Sequence, residues 1–599
     1  MIYHCEDRTC NYWDEGEKLP ERCPQCGRKL LRANEADMTG DDWTALGNTL
    51  WDAEASDKKR MVDCFRKAAY LGSAWGVCNL GICMEQGNGV EADPVQAFWL
   101  YQQAVEMGSL NAVCCLGVCY QYGIGTAPDA EKAAELYCKA AEYGSPRGQM
   151  LLARAFHDGI GVEADAAEAV HWVRAAAYQR YGEGMYRLGV CYEYGDGVEQ
   201  NWEHAVHWFR EAAESGVSTA MTDLGYCYEK GCGVEQSWEQ AFSWYRRGAE
   251  CGDLRSMHNL GYCYEKGCGV EQSWEQAFSW YRRGAECGYP VSMSNLGLCY
   301  KRGYGVDQNW QEAIKWYEQG AQCGDLQSMH NLACCYERGE GVEQNEDRAL
   351  YWYRRGAEAG SDYCMYCLGW NYSNGEGVEQ NMTEAIRWYT AAAEGGNADA
   401  MHDLGWHYDH GEGVEQDMKK AICWYERAAE QNHPAAMNSL GECYAMGRGV
   451  PRDLETAMEW YRRAAELGEA MADYNMGWHL EQAGKLSEAY AHYRKAADGN
   501  DDSAWWALGR FYENGVVVAQ DGKEARCCYE TGEKLGSVKC KMRLARCKLL
   551  GIGGRREKKA GLDLCRQALE LAKESSEKED YGYEAEMNLL RRTIAENES

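Results

Sequence analysis

The chain has 599 residues and carries 94 Asp and Glu against 62 Lys and Arg, which gives a formal net charge of −32. So acidic a surface repels phosphate and anionic lipid, and therefore argues against nucleic-acid and membrane partners. Only eight prolines occur and 45% of the residues are hydrophobic, which excludes long disorder and favours helices.

Four cysteines come first, and two of them form the motif CPQCG. This motif resembles the knuckle of a zinc ribbon or of rubredoxin, in which two thiolates two residues apart bind one metal. The resemblance implies one structural zinc ion held by Cys5, Cys10, Cys23 and Cys26, with no position open for catalysis. The first pair is spaced C-x4-C, so iron stays an alternative.

Since neither a signal peptide nor a membrane span is found in the sequence, we expect reduced thiols and a cytoplasmic location.

The rest of the chain repeats every 36 residues. Residues 224–252, LGYCYEKGCGVEQSWEQAFSWYRRGAECG, return unchanged as residues 260–288. A G-x-G-V motif or a near variant recurs in this register at Gly87, Gly123, Gly159, Gly195, Gly231, Gly267, Gly303, Gly339, Gly375, Gly411 and Gly447. One unit then loses four residues, and the register resumes at Gly515 and Gly551. We count fifteen units between about residues 42 and 573.

Each unit is predicted to form two helices. The first, such as SMHNLGYCYEKG, has apolar residues at helical spacing and ends at glycine, where a left-handed cap costs least. Ser237 or Ser273 stands where the second helix begins, with glutamine three residues later as in a capping box. Two short helices cannot bury their apolar faces alone, so neighbouring units must stack. The sequence therefore predicts an all-α fold, an α-solenoid superhelix of about fifteen helix-turn-helix repeats behind a small zinc ribbon.

The unit closely resembles the Sel1-like repeat, a relative of the tetratricopeptide repeat. The resemblance rests on A/M-x-x-L-G-x-x-Y-x-x-G-x-G-V followed by A-x-x-W-Y-x-x-A-A-E-x-G, as at residues 257–270 and 277–288. It implies an adaptor that gathers partners, although fold alone does not establish function. The expected domains are a zinc-ribbon-like segment (1–32), an acidic linker (33–41), the solenoid (42–573) and a C-terminal capping helix and tail (574–599).

Two residue types recur at fixed positions and are interpreted as packing. Tryptophan occurs in nine consecutive units, from Trp172 to Trp460. A second repeat position holds cysteine in most repeats and the equally small alanine at Ala155, which suits a buried small side chain. The cysteine position comprises Cys83, Cys119, Cys191, Cys227, Cys263, Cys299, Cys335 and Cys443.

The residue after L-G in the first helix is the main candidate for partner contact. By analogy with tetratricopeptide repeats it points into the concave groove, and in the middle and later units it is large and often aromatic. A neighbouring track carries histidine and tyrosine. Together these predict partner contacts at Tyr226, Tyr262, Leu298, Trp370, Trp406, Trp478, His258, His330, Tyr366 and His402. Such a groove suits a protein or peptide with apolar anchors and basic flanks, unless superhelical packing buries the rings.

One segment, DAMHDLGWHYDHGEG, carries enough histidine and aspartate to suggest metal binding or catalysis. His407 and His410 have the i, i+3 spacing of metal ligands, but His402 lies five residues before His407 and points elsewhere. No Walker loop, H-E-x-x-H motif or Ser/His/Asp set occurs, so we expect a non-catalytic scaffold. A hydrolase is one alternative, because secreted cysteine-rich relatives are linked to β-lactam cleavage. Their eight-residue cysteine spacing is absent here. A host- or phage-directed interaction protein is the other alternative.

Overall fold

Helices make up nearly all of the described structure, as the periodicity predicts. The computed structural model describes residues 2–5, 13–15, 30–32, 35–51, 55–578 and 584–598. These residues form three short strands, a 3-10 turn at Glu35–Asp37 and 31 α-helices. Within each of the two units described below, successive helices pair into seven hairpins, which confirms an all-α solenoid fold built of tandem helical repeats.

Contacts between residues divide the chain into unit 1, Met1–Asn309, and unit 2, Trp310–Ser599. The helices of unit 1 are α1 (Gly40–Thr49), α2 (Ala55–Tyr70), α3 (Ala74–Gln86), α4 (Pro94–Glu106), α5 (Leu110–Tyr122), α6 (Ala130–Glu142), α7 (Pro146–Asp158), α8 (Ala166–Tyr178), α9 (Gly182–Tyr194), α10 (Trp202–Glu214), α11 (Ser218–Lys230), α12 (Trp238–Glu250), α13 (Leu254–Lys266), α14 (Trp274–Glu286) and α15 (Pro290–Arg302).

Unit 2 continues the same pattern of paired helices and adds one helix at the end. Its helices are α16 (Trp310–Gln322), α17 (Leu326–Arg338), α18 (Glu346–Glu358), α19 (Asp362–Asn374), α20 (Met382–Glu394), α21 (Ala398–His410), α22 (Met418–Glu430), α23 (Pro434–Met446), α24 (Leu454–Glu466), α25 (Ala470–Gln482), α26 (Leu486–Asp498), α27 (Asp502–Asn514), α28 (Gly522–Lys534), α29 (Val538–Leu550), α30 (Lys558–Lys578) and α31 (Glu584–Glu598). None of the helices in the described ranges is both long and apolar enough to cross a bilayer.

A small antiparallel sheet lies at the amino-terminal end of unit 1. Its strands are β1 (Ile2–Cys5), β2 (Trp13–Glu15) and β3 (Leu30–Arg32), with β1 in the middle. The backbone of Cys5 pairs with that of Leu30. The other three predicted zinc ligands, and the side chain of Cys5, lie outside the described residues, so the zinc site stays a prediction.

The predicted helix ends follow from the chemistry of the repeat. Helix α11 ends at Gly231, whose φ of 75° lies in the left-handed region. At the start of α12 the side chain of Ser237 accepts a hydrogen bond from the N–H of Gln240, at 3.3 Å. The Ser237 hydroxyl in turn donates to the Glu239 carboxylate at 3.1 Å. The first of these contacts is one of the two bonds of the predicted capping box, and α1 forms both bonds.

The second glycine of G-x-G has a tertiary role that the sequence did not reveal. A Cβ atom at Gly233 would overlap the carbonyl oxygen of Trp202, at the start of α10 in the preceding hairpin. The loop of one unit therefore packs directly on the backbone of its neighbour. Glycine is required there for close approach as well as for its φ of 69°.

In most hairpins a buried tyrosine from the second helix packs against the first helix. Tyr245 is fully buried, and its hydroxyl donates a 2.8 Å hydrogen bond to Glu229 on α11. Next to it, Cys227 is buried, and burial raises the pKa of its thiol to about 12. A thiol with so high a pKa is an inert packing group, as interpreted from the sequence. The tryptophan track lies on the second helices, where Trp244 is buried and the other rings are half-buried. Arg247 covers the ring of Trp244 at 4.3 Å.

Candidate partner-binding faces

The predicted contact residues lie on the first helices of successive hairpins in both units. In unit 1 they are Tyr226 on α11, Tyr262 on α13 and Leu298 on α15, and all three side chains are exposed. We call these three residues the unit 1 face. The ammonium group of Lys230 lies 5.8 Å from the Tyr226 ring, and that of Lys266 lies 5.9 Å from the Tyr262 ring. A cation therefore already accompanies each tyrosine.

In unit 2 the same repeat position carries larger rings. Trp370 on α19 is 46% exposed and Trp478 on α25 is 39% exposed. Trp406 on α21 is half-buried and stacks on His410, with ring centroids 4.3 Å apart. We call these three tryptophans the unit 2 face. Large exposed apolar rings at one repeat position are the expected signature of a binding surface.

The charges on the two faces differ. Helices α19, α21, α23 and α25 contain no Lys or Arg, but they carry Asp362, Asp399, Asp403, Asp409, Glu442, Asp473 and Glu481. On α11, α13 and α15, three acidic residues stand beside five basic ones, which are Lys230, Arg255, Lys266, Lys301 and Arg302. The helices that carry the unit 2 face are therefore acidic, although Arg448 pairs with Asp409 and Glu442, and Arg510 pairs with Glu481.

The neighbouring track is less exposed. In unit 1, His258 is half-buried between the rings of Tyr281 and Tyr289, with centroids 5.6 and 5.9 Å away. Its Nδ1 atom is buried without a hydrogen-bond partner. Burial lowers the pKa of His258 to about 4, so the imidazole is neutral at physiological pH.

In unit 2, Asp403 links two of the predicted contact residues, Tyr366 and His402. The hydroxyl of Tyr366 donates to Asp403 Oδ2 at 3.1 Å, and His402 Nδ1 lies 3.0 Å from Asp403 Oδ1. Burial and the Asp403 charge raise the pKa of Tyr366, which keeps its hydroxyl a donor. His402 also stacks on His433 at 5.2 Å. The bond between Tyr366 and Asp403 ties α19 to α21 beside the exposed tryptophans.

His330, another predicted contact residue, does not belong to the group formed by Tyr366, Asp403 and His402. It is half-buried on α17, where its Nε2 lies 3.5 Å from the sulfur of Cys334. Sequence reasoning also missed Asp403 as the link between the two helices. The available signal was an aspartate at a repeat position that holds asparagine in other units, such as Asn295 and Asn331.

The histidines of residues 398–411 do not converge. His407 is buried and its Nδ1 lies 3.2 Å from the carbonyl oxygen of Glu412, whereas His410 Nδ1 lies 2.9 Å from that of Trp406. His402 faces Asp403. In the described part of the chain, no group of three or more potential ligands is arranged to hold a metal ion. The geometry of this segment is that of separately bonded side chains.

A model of the Sel1 repeat matches most of the chain. The matched stretches are 76–109, 112–145, 146–181, 182–217, 218–253, 254–289, 290–325, 326–361, 362–397, 398–433, 434–469, 470–501, 504–537 and 538–573. No curated protein matches the chain.

Three solved structures are similar to parts of the chain. The c5321 protein, a protective antigen present in uropathogenic Escherichia coli strains that displays an SLR fold, is 32% identical with a TM-score of 0.51; the match covers 75% of this chain and 97% of that one. A Sel1 repeat protein from Oxalobacter formigenes is 30% identical with a TM-score of 0.38, over 41% of this chain and 96% of that one. The immunity protein Pa5087 from Pseudomonas aeruginosa is 19% identical with a TM-score of 0.29, over 36% and 82%.

Proposed function

Since this chain belongs to the Sel1 repeat family, whose members are generally protein-interaction scaffolds, we propose that it binds a basic peptide segment with apolar anchors. The unit 2 face is the proposed binding surface. The partner's apolar side chains pack against Trp370, Trp406 and Trp478, and its Lys or Arg side chains lie against the surrounding carboxylates.

One observation carries this proposal. The exposed rings of Trp370 and Trp478 lie on a set of four helices that have seven carboxylates and no Lys or Arg. Aromatic rings provide large contact area and attract cations through their faces. Carboxylates on the same helices favour a cationic partner over an anionic one and speed its encounter.

The bonds of Asp403 to Tyr366 and His402 support the same surface. The first bond holds α19 to α21 and the second fixes the Asp403 side chain next to the tryptophans, so that little ordering is needed when a partner arrives. A surface that is already ordered loses less entropy on binding.

The proposal is tested with labelled 15-residue peptides of three compositions and fluorescence anisotropy. One set combines Lys or Arg with Leu and Trp, the second replaces the apolar residues by Ser, and the third replaces the cations by Glu. We expect the first set to bind, and the double variant Trp370→Ala/Trp478→Ala to weaken its binding by about tenfold or more. Added salt should weaken binding too, because screening reduces the attraction between exposed charges.

The matched control is Trp75→Ala/Trp99→Ala, which removes two exposed tryptophans of α3 and α4 in unit 1. It should bind the first set like the parent chain, and circular dichroism should show both variants folded. Equal binding by the unit 2 variant and the parent would reject the proposed surface. A preference for the Glu-containing set would reject the proposed partner chemistry.

A further inference from the structure

Three cysteines from two first helices of unit 1 meet at one place. Cys78 lies on α3, and Cys114 and Cys115 lie on α5. Cys78 and Cys115 lie in the same buried cluster, and their thiols interact with each other. From α7, Nη1 of Arg147 donates to the Cys115 sulfur at 3.6 Å. Cys78 is 1% exposed and Cys115 is 5% exposed, so both thiols are inside the fold.

This environment favours a thiolate at Cys115. The interaction with the Cys78 thiol and the charge and hydrogen bond of Arg147 lower the pKa of Cys115, while burial and the Glu85 carboxylate act in the opposite direction. For Cys78, the interaction with the Cys115 sulfur raises the pKa, and so does burial. The Cys78 thiol therefore stays protonated. Tyr101, Cys114 and Cys119 are the other titratable groups that interact with Cys115.

Other buried thiols of the repeat behave differently. Burial raises the pKa of both Cys263 and Cys299 to about 12. Reactive cysteines are thiolates stabilised by a neighbouring cation or donor, and a thiol buried among apolar groups is inert. The two kinds occur here within one repeated scaffold, which provides an internal comparison.

Arg147 also connects the thiol pair to solvent. It is exposed, and it lines a cavity of about 590 Å³ between the hairpins of unit 1. Two other arginines of the same wall pair with carboxylates, Arg154 with Asp158 at 3.3 Å and Arg187 with Glu183 at 3.9 Å. The guanidinium of Arg147 instead reaches from the cavity wall to the sulfur of Cys115. A small oxidant in the cavity is therefore one side chain away from this thiolate.

We propose that Cys115 is a peroxide-reactive thiolate with Cys78 as its resolving partner, so that oxidation by a hydroperoxide joins α3 to α5 through a disulfide. The Cys115 sulfur attacks the peroxide oxygen; an S–O bond forms, the O–O bond breaks, and the alcohol or water that leaves takes a proton. The Cys78 sulfur then attacks the resulting sulfenic acid; the S–S bond forms and water leaves. Two thiols are oxidised and one hydroperoxide is reduced.

The test uses the full reduced chain and hydrogen peroxide. Remaining thiols are alkylated at successive times, and peptide mass spectrometry measures the oxidation of each cysteine. We expect Cys115 and Cys78 to be lost together, at least about tenfold faster than Cys263 and Cys299, and to appear as one cross-linked peptide pair. In Cys78→Ser, a dimedone adduct should form at Cys115 in place of the disulfide.

The role of Arg147 is tested by the pH profile of Cys115 oxidation. Arg147→Gln should move this profile to higher pH, whereas the control Arg154→Gln, from the same helix and cavity wall, should leave it unchanged. If Arg147→Gln does not fold, the profile of Cys115 in the parent chain, measured against that of Cys263, decides instead. Oxidation of Cys115 no faster than that of Cys263 would overturn the proposal. Oxidation that never links Cys115 to Cys78 would overturn it as well.

Discussion

At the scale of single residues, identical repeat positions acquire different chemistry from their neighbours. His258 and His402 occupy the same position of the 36-residue repeat. His402 is bonded to Asp403, whereas the Nδ1 atom of His258 is buried without a partner, and burial lowers the pKa of His258 to about 4. The two imidazoles differ because the residue that follows is Asp403 in one repeat and Asn259 in the other.

The stability of the chain should fall in acid because of His258. Its folded-state pKa of about 4 lies below the ordinary 6.5, so the unfolded chain binds the proton more tightly. The stability linked to the neutral His258 imidazole is fully present above pH 6.5 and is lost as the pH falls towards 4. The complete loss amounts to about 3 kcal/mol. We expect His258→Phe to reduce the difference in urea unfolding free energy between pH 7.5 and pH 4.5. Tryptophan fluorescence reports the unfolding.

The control for this measurement is His207→Phe, which changes an exposed histidine on α10. Its pH difference should match that of the parent chain. The same difference in His258→Phe as in the parent would show that His258 is not the group responsible.

At the scale of the element, each hairpin depends on the backbone of its neighbour. The loop between α11 and α12 approaches the start of α10 so closely that Gly233 has no room for a Cβ atom beside the Trp202 carbonyl. The G-x-G motif therefore combines a helix stop with a stacking contact. This double role explains why both glycines recur although the helix stop alone requires only the first.

We expect Gly233→Ala to lower the unfolding free energy by roughly 2–4 kcal/mol, because it adds a steric overlap to the strain of a positive φ. Urea unfolding followed by circular dichroism measures the loss. The matched control is Gly252→Ala, whose φ of 88° imposes the same kind of strain but which has open space around a Cβ atom. That control should cost about 1 kcal/mol. Equal losses in the two variants would contradict a stacking role for Gly233.

At the scale of the whole molecule, the fold is a series of interchangeable repeats. The hairpin α11–α12 and the hairpin α13–α14 share 29 consecutive residues, and each contacts its sequence neighbours. In such a series, stability is a sum of unit terms and nearest-neighbour interfaces. The length of the solenoid is therefore not tied to a single central core.

Deletion of residues 224–259 tests this modularity. The deletion removes one period and rebuilds the sequence of α11 across the junction, since residues 260–266 repeat residues 224–230. We expect a folded chain with the helical signal per residue of the parent and only slightly lower stability. Circular dichroism and urea unfolding provide the measurement. Deletion of residues 224–241 alone places the remaining helices out of register and should disrupt the fold. Similar damage from both deletions would argue against interchangeable units.

The sequence alone determined the helices, their ends and their number, because these depend on residues a few positions apart in a repeated pattern. The period predicted the succession of paired helices, and the glycines and serines predicted the caps at Gly231 and Ser237. The same pattern located the exposed rings of Trp370 and Trp478 on the first helices. In each case the relevant neighbours lie within the same unit, so spacing was sufficient.

Only the tertiary structure decided what lies beside each side chain of the candidate sites. Asp403 joins Tyr366 to His402, and Arg147 meets Cys115, across about thirty or more positions of sequence. The local excess of carboxylate near the unit 2 face was likewise hidden in a net charge for the whole chain. The physical reason is that helix propensity and capping act over one or two turns, whereas pKa values, exposure and charge at a surface depend on stacked neighbours. A repeat pattern specifies the stacking, but the chemistry at each contact comes from the side chains that differ between units.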